Sequence, residues 1–238
     1  MIEIKRLPLG VGYYSRAEAA RLLRVHPATL NRWVRGYTYQ MRAKGKLIQR
    51  ARPALIRLDL PTIDHAMALS FVELMELRTI KALVERNIPI QRIRTSASAA
   101  IEIFGTSHPF ASRRIFTDRR DIFAEVAQDT DVPDVIELKE GRHLQIHSGE
   151  ILRPILEEIS FSPETSLANR WWPLARAFPV VLDPKIAFGA PVVEGTSTRS
   201  DVVAAMAKVV SADVAANVYS LTKRQVEASV QFEELLAA

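Results

Sequence analysis

Residues 13–39 read YYSRAEAARLLRVHPATLNRWVRGYTY, and this stretch decides the architecture of the N-terminal part of the chain. Ser15 followed three residues later by Glu18 spells a capping box. In that motif the serine hydroxyl accepts from the third helical amide, and the glutamate accepts from the serine's own N–H. A helix therefore starts after Ser15, with Ala19, Ala20, Leu22 and Leu23 as its apolar face. Pro27 suits the first position of a second helix, where its missing N–H would have no partner anyway. Leu30, Trp33 and Val34 continue an apolar stripe, and Gly36 stops it. Two short helices joined by Arg24-Val25-His26 have the lengths and spacing of a helix-turn-helix, with Ala20, Leu23, Val25, Leu30 and Trp33 as its small core.

That core leaves Ala28, Thr29, Asn31, Arg32 and Arg35 on the outer face of the second helix. These types suit a major groove. Arginine donates to guanine, asparagine pairs with adenine, and threonine meets a phosphate or a thymine methyl. Residues 37–58 read as a two-stranded ribbon with its tip at 43–46, where Gly45 supplies the turn. Arg42, Lys44, Lys46, Arg50 and Arg52 line it, as expected of a wing that grips phosphates. The DNA-contacting set expected from sequence is thus Thr29, Asn31, Arg32, Arg35, Arg42, Lys44, Lys46 and Arg50, and the partner is duplex operator DNA.

Charge follows the same division. The chain of 238 residues carries a net +5, but residues 1–60 hold 13 Lys and Arg against 3 Asp and Glu. The remainder holds 19 basic and 24 acidic residues, so a basic head sits on an acidic body and only the head invites a polyanion. The chain is 48% hydrophobic and 25% charged, an ordinary globular composition. No apolar run approaches a membrane span, the first ten residues do not read as a signal peptide, and cysteine is absent. A cytoplasmic protein without disulfides or thiolate metal sites is expected.

Beyond the head, residues 62–105 read as helical. A long amphipathic stretch through Leu69, Val72, Met75, Leu77, Ile80 and Leu83 ends near Asn87, and a second helix spans Ile90 to Phe104 before Gly105. Residues 110–165 read as hairpins, 114–117 with 122–126 and 135–138 with 142–146, followed by a short helix near 151–159. From Asn169, Pro173, Pro179, Pro184 and Pro191 mark a rigid, irregular connector, and helices resume after Gly195, with Thr222 capping the last. The expected fold is mainly α with β hairpins. It comprises a winged helix-turn-helix (1–60), a helical extension and possible dimer element (61–108), a hairpin-rich middle (109–168), and a small helical, helix-turn-helix-like C-terminal domain (169–238).

YYSRAEAARLLRVHPATLNRWVRGYTY resembles the first helices of MerR-like regulators, and LSFVELMELRTIKALVERNIPIQRIR resembles their next helices. Arg24 stands where such motifs have glycine, so strain is expected in that turn, and His26 replaces the usual Ser or Thr cap. Near the C-terminus, FPVVLDPKIAFGAPVVEGTSTRSDVV and VAANVYSLTKRQVEASVQFEELL resemble a small domain of many prokaryotic antitoxins. Asp183-Pro184, Gly189, Pro191-Val192-Val193, Gly195-Thr196 and Leu221-Thr222 with Gln225-Val226 carry the match, while Ser197 replaces an arginine of the pattern. Together the resemblances imply a VapB-type antitoxin with a MerR-like head. They imply a PIN-like ribonuclease toxin as partner, control of its own operon, and a homodimer.

Aromatic anchors and cations in this C-terminal strip give a toxin-binding set of Trp172, Lys185, Phe188 and Arg199. The rival expectation is a one-component regulator that senses a small molecule through the middle region. No catalytic constellation, nucleophile elbow or dinucleotide fingerprint is present. His143 and His147 lie four apart in a strand-and-turn pattern without a third ligand, so neither a metal nor a cofactor is expected.

Overall fold

The computed structural model describes residues 8–43, 45–62, 66–112, 115–117, 122–126, 134–137, 145–146 and 158–237. The head opens with β1 (Tyr14–Ser15), α1 (Arg16–Leu23) and α2 (Pro27–Arg35), followed by the ribbon of β2 (Tyr37–Ala43) and β3 (Lys46–Arg52). The Ser15–Glu18 capping box forms as read. Arg24 does adopt the strained left-handed conformation, φ 52° and ψ 48°. His26 caps after all: its Nδ1 accepts from the Ala28 amide at 3.2 Å. The ribbon pairs in register from Tyr37–Arg52 to Ala43–Lys46, and its second strand stops at Arg52 rather than reaching residue 58.

Next come β4 (Ala68–Leu69), α3 (Phe71–Glu85) and α4 (Ile90–Phe104). The expectation of helix from residue 62 is corrected. Ser70 is the N-cap of α3, locked by a second capping box with Glu73, and β4 before it pairs antiparallel with β1. The structure bears out the second helix, closed by left-handed Gly105. A one-turn 3₁₀ segment (Pro109–Ala111) then leads into a four-stranded antiparallel meander, β5 (Ile115–Thr117), β6 (Ile122–Val126), β7 (Asp134–Glu137) and β8 (Gln145–Ile146). The helix expected near 151–159 lies largely outside the described residues, and its last residue, Ile159, opens a strand instead.

The supposed connector from Asn169 is also corrected. It is a second antiparallel sheet, ordered β12-β11-β10-β9, from β9 (Ile159–Phe161), β10 (Ala168–Trp171), β11 (Val180–Leu182) and β12 (Pro191–Val193). Val180 and Leu182 face the main core, while Val181 and Val192 pack with Trp172 on the opposite face. Three helices follow, α5 (Ser200–Val209), α6 (Ala212–Tyr219) and α7 (Lys223–Ala237). One continuous core joins Leu30 and Trp33 of the head to Leu74, Leu77 and Ile80 of α3, Ile93 of α4, Trp171 of the second sheet and Phe232 of α7. Seven helices and these small sheets make a mixed helix-and-strand fold among the described residues. No helix there is long and apolar enough to cross a membrane.

Helices α6 and α7 repeat the backbone pattern of α1 and α2. Ser220 turns left-handed at φ 53° and ψ 44°, the Leu221 amide donates to the Ala216 carbonyl at 2.8 Å, and Thr222 caps α7 by exchanging hydrogen bonds with Gln225. The corresponding bond in the head runs from Val25 to Ala20 at 2.9 Å. The two helix pairs therefore share one turn geometry.

Candidate nucleic-acid interface

Helix α2 is held from behind and open in front. Leu30, Trp33 and Val34 are buried, whereas Ala28, Arg32 and Arg35 are exposed and Thr29 and Asn31 are half-buried. Asn31 Oδ1 accepts from Arg16 at 2.9 Å, which fixes the amide beside the exposed guanidiniums. Arg32 stacks over the Tyr37 ring at 5.7 Å, so its reach is set where α2 meets the ribbon. Gly36 makes that junction possible. A Cβ there would lie 2.2 Å from the Arg52 carbonyl oxygen, and φ is +74°.

The ribbon is unusually bare. All described residues of β3 before Arg52 are exposed, and Arg42, Lys46 and Arg50 point into solvent. Lys44, also expected at this surface, lies outside the described residues. Two braces orient the ribbon's base. Arg52 donates to Gln91 of α4 at 3.2 Å, and Arg94 of α4 donates to the Ala54 carbonyl at 3.1 Å. A two-stranded ribbon without a core of its own is stabilised by such anchoring. Exposed arginines thus lie on both α2 and the ribbon that follows it, residue types that suit base edges and phosphates.

The second expected surface is distributed differently from the sequence reading. Trp172 is 5% exposed and sits under Arg176, whose guanidinium lies 4.2 Å from the ring centroid. It is therefore not an exposed anchor. Phe188 is 64% exposed on a turn where Ala187, Phe188 and Gly189 all have positive φ. Such strain persists only where surrounding contacts over-determine it. Here the Tyr13 amide donates to the Phe188 carbonyl at 2.9 Å, and the buried Tyr14 hydroxyl donates to the Gly189 carbonyl at 2.7 Å. Gly189 is required, since a Cβ would lie 2.3 Å from that hydroxyl. Burial pushes the Tyr14 phenol far above its ordinary range, so it stays a donor.

Beside Phe188 lies a cleft of about 220 Å³, with Glu18 and Arg21 of α1 on one wall and Arg199, Asp201 and Glu233 on the other. Arg199 is exposed but holds Asp201 at 2.6 Å, and Lys185 is exposed. The structure thus gathers Phe188 and Arg199 at one cleft that touches the first helix of the head.

Sequence reasoning missed a polar cluster behind the ribbon. His108 directs Nδ1 to Glu76 at 2.9 Å and Nε2 to Asp59 at 2.7 Å. Burial alone would depress its pKa, but the hydrogen bonds and charges of both carboxylates push it up to about 9. Ligand atoms of Asp59, Glu73 and His108 lie within 4.8 Å of one another, so they could hold a metal ion. Of the histidines considered from sequence, His143 and His147 lie outside the described residues.

Residues 12–97 match a family described as a "Putative DNA-binding HTH domain". The protein named "Putative antitoxin VapB45" from Mycobacterium tuberculosis (strain ATCC 25618 / H37Rv) is 31% identical over 225 residues, 92% of each chain. Among solved structures, the crystal structure of Rv2018 from Mycobacterium tuberculosis is similar with a TM-score of 0.61 and 25% identity. That match covers 94% of this chain and 100% of the other.

Proposed function

Because the chain belongs to the family of VapB-type antitoxins that carry a DNA-binding helix-turn-helix, we propose that it neutralises a PIN-like ribonuclease and represses its own operon. The observation that carries this reading is the pairing of two unlike surfaces on one core. The basic face of α2 and the ribbon suits DNA, and the strained Phe188 turn, tied to Tyr13 and Tyr14, suits a protein.

On the DNA side, Arg32 and Arg35 read base edges with Thr29 and Asn31 beside them, while Arg42, Lys44, Lys46 and Arg50 hold phosphates. A short recognition helix makes few base contacts, so two copies on paired half-sites are required for useful affinity, and a homodimer is part of the proposal. On the toxin side, Phe188 enters a pocket of the partner. Lys185 and Arg199 face the acidic, metal-binding carboxylates of the nuclease, which would deny it both metal and RNA. Trp172 acts from below, as the buried floor of the sheet. The reading assigns no catalysis to this chain.

The test uses the full chain with the nuclease encoded in the neighbouring reading frame. Phe188→Ala is expected to weaken toxin binding by about 2 kcal/mol or more while operator binding is kept. Undiminished toxin binding by Phe188→Ala and Arg199→Ala proteins would sink the assignment of this turn.

A further inference from the structure

We infer that Asp59, Glu73 and His108 form a binding site for one divalent transition-metal ion of the zinc or manganese class, placed where the ribbon's exit strap meets α3. The ligand atoms come from three elements. Asp59 lies in the segment after the ribbon, Glu73 in the first turn of α3, and His108 just before the 3₁₀ turn. Their ligand atoms are within 4.8 Å of one another.

The outer shell is the most telling feature. A ligating histidine typically offers one ring nitrogen to the metal and donates from the other to a carboxylate, which fixes its orientation. His108 is placed for that arrangement: Nδ1 lies 2.9 Å from the buried Glu76, whose other oxygen accepts from the Phe110 amide, and Nε2, which meets Asp59 at 2.7 Å in the metal-free protein, would release its proton to take the ion between them. Glu73 is held equally firmly. Its two oxygens accept from the amides of Asp59 and Ser70, and each keeps further acceptor capacity.

The charge balance points the same way. An ordinary ion pair needs one carboxylate for one imidazolium. Here Glu76 and Asp59 both contact one imidazole and Glu73 lies within 4.8 Å, and Glu73 and Glu76 are 0% and 2% exposed. Carboxylates away from water are costly unless amides or a cation balance them, and one imidazole is shared between two of these. Arg57 reaches Asp59 only at 3.6 Å and from a largely solvated position. One imidazole with two carboxylates suits zinc or manganese better than magnesium or calcium, which prefer all-oxygen shells. The half-exposed Asp59 side gives an entry path and room for water in the remaining positions. A bound ion would tie the ribbon's exit to α3 directly.

The experiment titrates full-length protein, freed of metal by chelation, with Zn²⁺, Mn²⁺ and Mg²⁺ in a calorimeter and follows thermal melting in parallel. One Zn²⁺ or Mn²⁺ per chain is expected, with a higher melting temperature, and Mg²⁺ at least tenfold weaker. Asp59→Asn keeps the His108–Glu76 pair, its cooperative melting is checked alongside, and it is expected to weaken binding at least tenfold. His108→Gln is expected to abolish binding, and His26→Ala, on the exposed head, to leave it unchanged. The proposal is overturned by absence of saturable binding at millimolar metal, by unchanged affinity in Asp59→Asn, by Mg²⁺ binding as tightly as the transition ions, or by loss of binding in His26→Ala.

Discussion

In the first helix-turn-helix, α1 ends at Leu23, Arg24 turns left-handed, and the Val25 amide reaches back to Ala20. In the second, α6 ends at Tyr219, Ser220 makes the same turn, and the Leu221 amide reaches back to Ala216. The surfaces on these matched backbones diverge. From Arg16 to Arg35 the first carries five arginines and one glutamate, whereas from Ala212 to Ala237 the second carries two basic and four acidic residues. The basic pair of the second is engaged internally: Lys223 binds Asp213 at 2.7 Å and Arg224 donates to the Ala177 carbonyl at 2.6 Å. Near α6 the exposed side chains include Val209, Val210, Val214 and Val218, and the neighbouring Lys208 is paired with Glu234 at 3.2 Å. A shared turn therefore specifies helix geometry, and the residues outside the core decide what the pair can meet.

The helices after the two turns also differ in length, and Gly36 is the reason. Helix α2 stops after nine residues so that the chain can turn into the ribbon, while α7 runs for fifteen with Phe232 buried in the main core. Gly36→Ala would drive a methyl into the Arg52 carbonyl at a φ that disfavours any side chain. The expected loss is about 3–4 kcal/mol, the sum of left-handed strain and backbone displacement. Denaturant melts would read it, and DNA binding should fall with it. A loss below about 1 kcal/mol would mean that the helix break does not depend on glycine.

The two units are fastened to the body by different forces, which pH can separate. Helix α7 docks through Ala228 and Phe232, whereas the ribbon's exit is held by the His108 cluster. His108 titrates at about 9 in the fold against about 6.5 in an unfolded chain. The folded state thus holds the proton more tightly. Its stabilisation is complete below the unfolded value and disappears as pH rises through 9, at most about 3 kcal/mol in metal-free buffer. Asp59 and Glu76 face the imidazole, with Glu73 beside them and Arg57 at the rim, so the pair charges set the size of the effect. His108→Gln should flatten the stability profile between pH 6 and 10. An equally steep profile in that variant would transfer the effect to other groups.

The surface contrast is tested on DNA. Arg32→Ala is expected to weaken binding to the upstream operator region by about 1–3 kcal/mol with loss of sequence preference. Lys223→Ala, at the matching start of the second recognition-like helix, should change nothing, because that lysine is already paired with Asp213. Fluorescence anisotropy with operator and scrambled duplexes checks both. A comparable loss in Lys223→Ala would make the second motif a DNA reader too and erase the distinction.

The head was legible because its signals are local. A capping box, a proline at the first helical position and a terminating glycine all act within a few residues of themselves. The start of α3 carried an equally local signal, Ser70-Phe71-Val72-Glu73, that the longer apolar periodicity obscured. The second sheet was harder. Its strands β11 and β12 have three residues each, too few for alternation to register, and the prolines in and around them resemble a linker until the pairing of Val180 with Val193 is seen. The exposure of Phe188 and the burial of Trp172 depend on that sheet, so the proposed partner surface was only half readable. The His108 cluster was not readable at all. Its partners Glu76 and Asp59 are 32 and 49 residues from His108 along the chain, and only the packing of α3 against the 3₁₀ turn brings them together.

The smallest expected effect is the sharpest check on the likeness of the two turns. Arg24 and Ser220 both pay for a left-handed conformation that glycine adopts freely. Relief of that strain favours glycine by roughly 1–2 kcal/mol, and the greater freedom of glycine in the unfolded chain returns part of it. A net gain of about 0.5–1 kcal/mol is therefore expected from Arg24→Gly and, separately, from Ser220→Gly. The two sites lie in different helix pairs far apart in the chain, so the double variant should show nearly the sum. Urea melts of the four proteins measure this directly. If the backbone grammar is the same, the two gains will match although one residue is a long cation and the other a small hydroxyl. A gain at Ser220 with a loss at Arg24 would show instead that the arginine side chain stabilises the first turn through its own contacts, and the equivalence would end at the backbone.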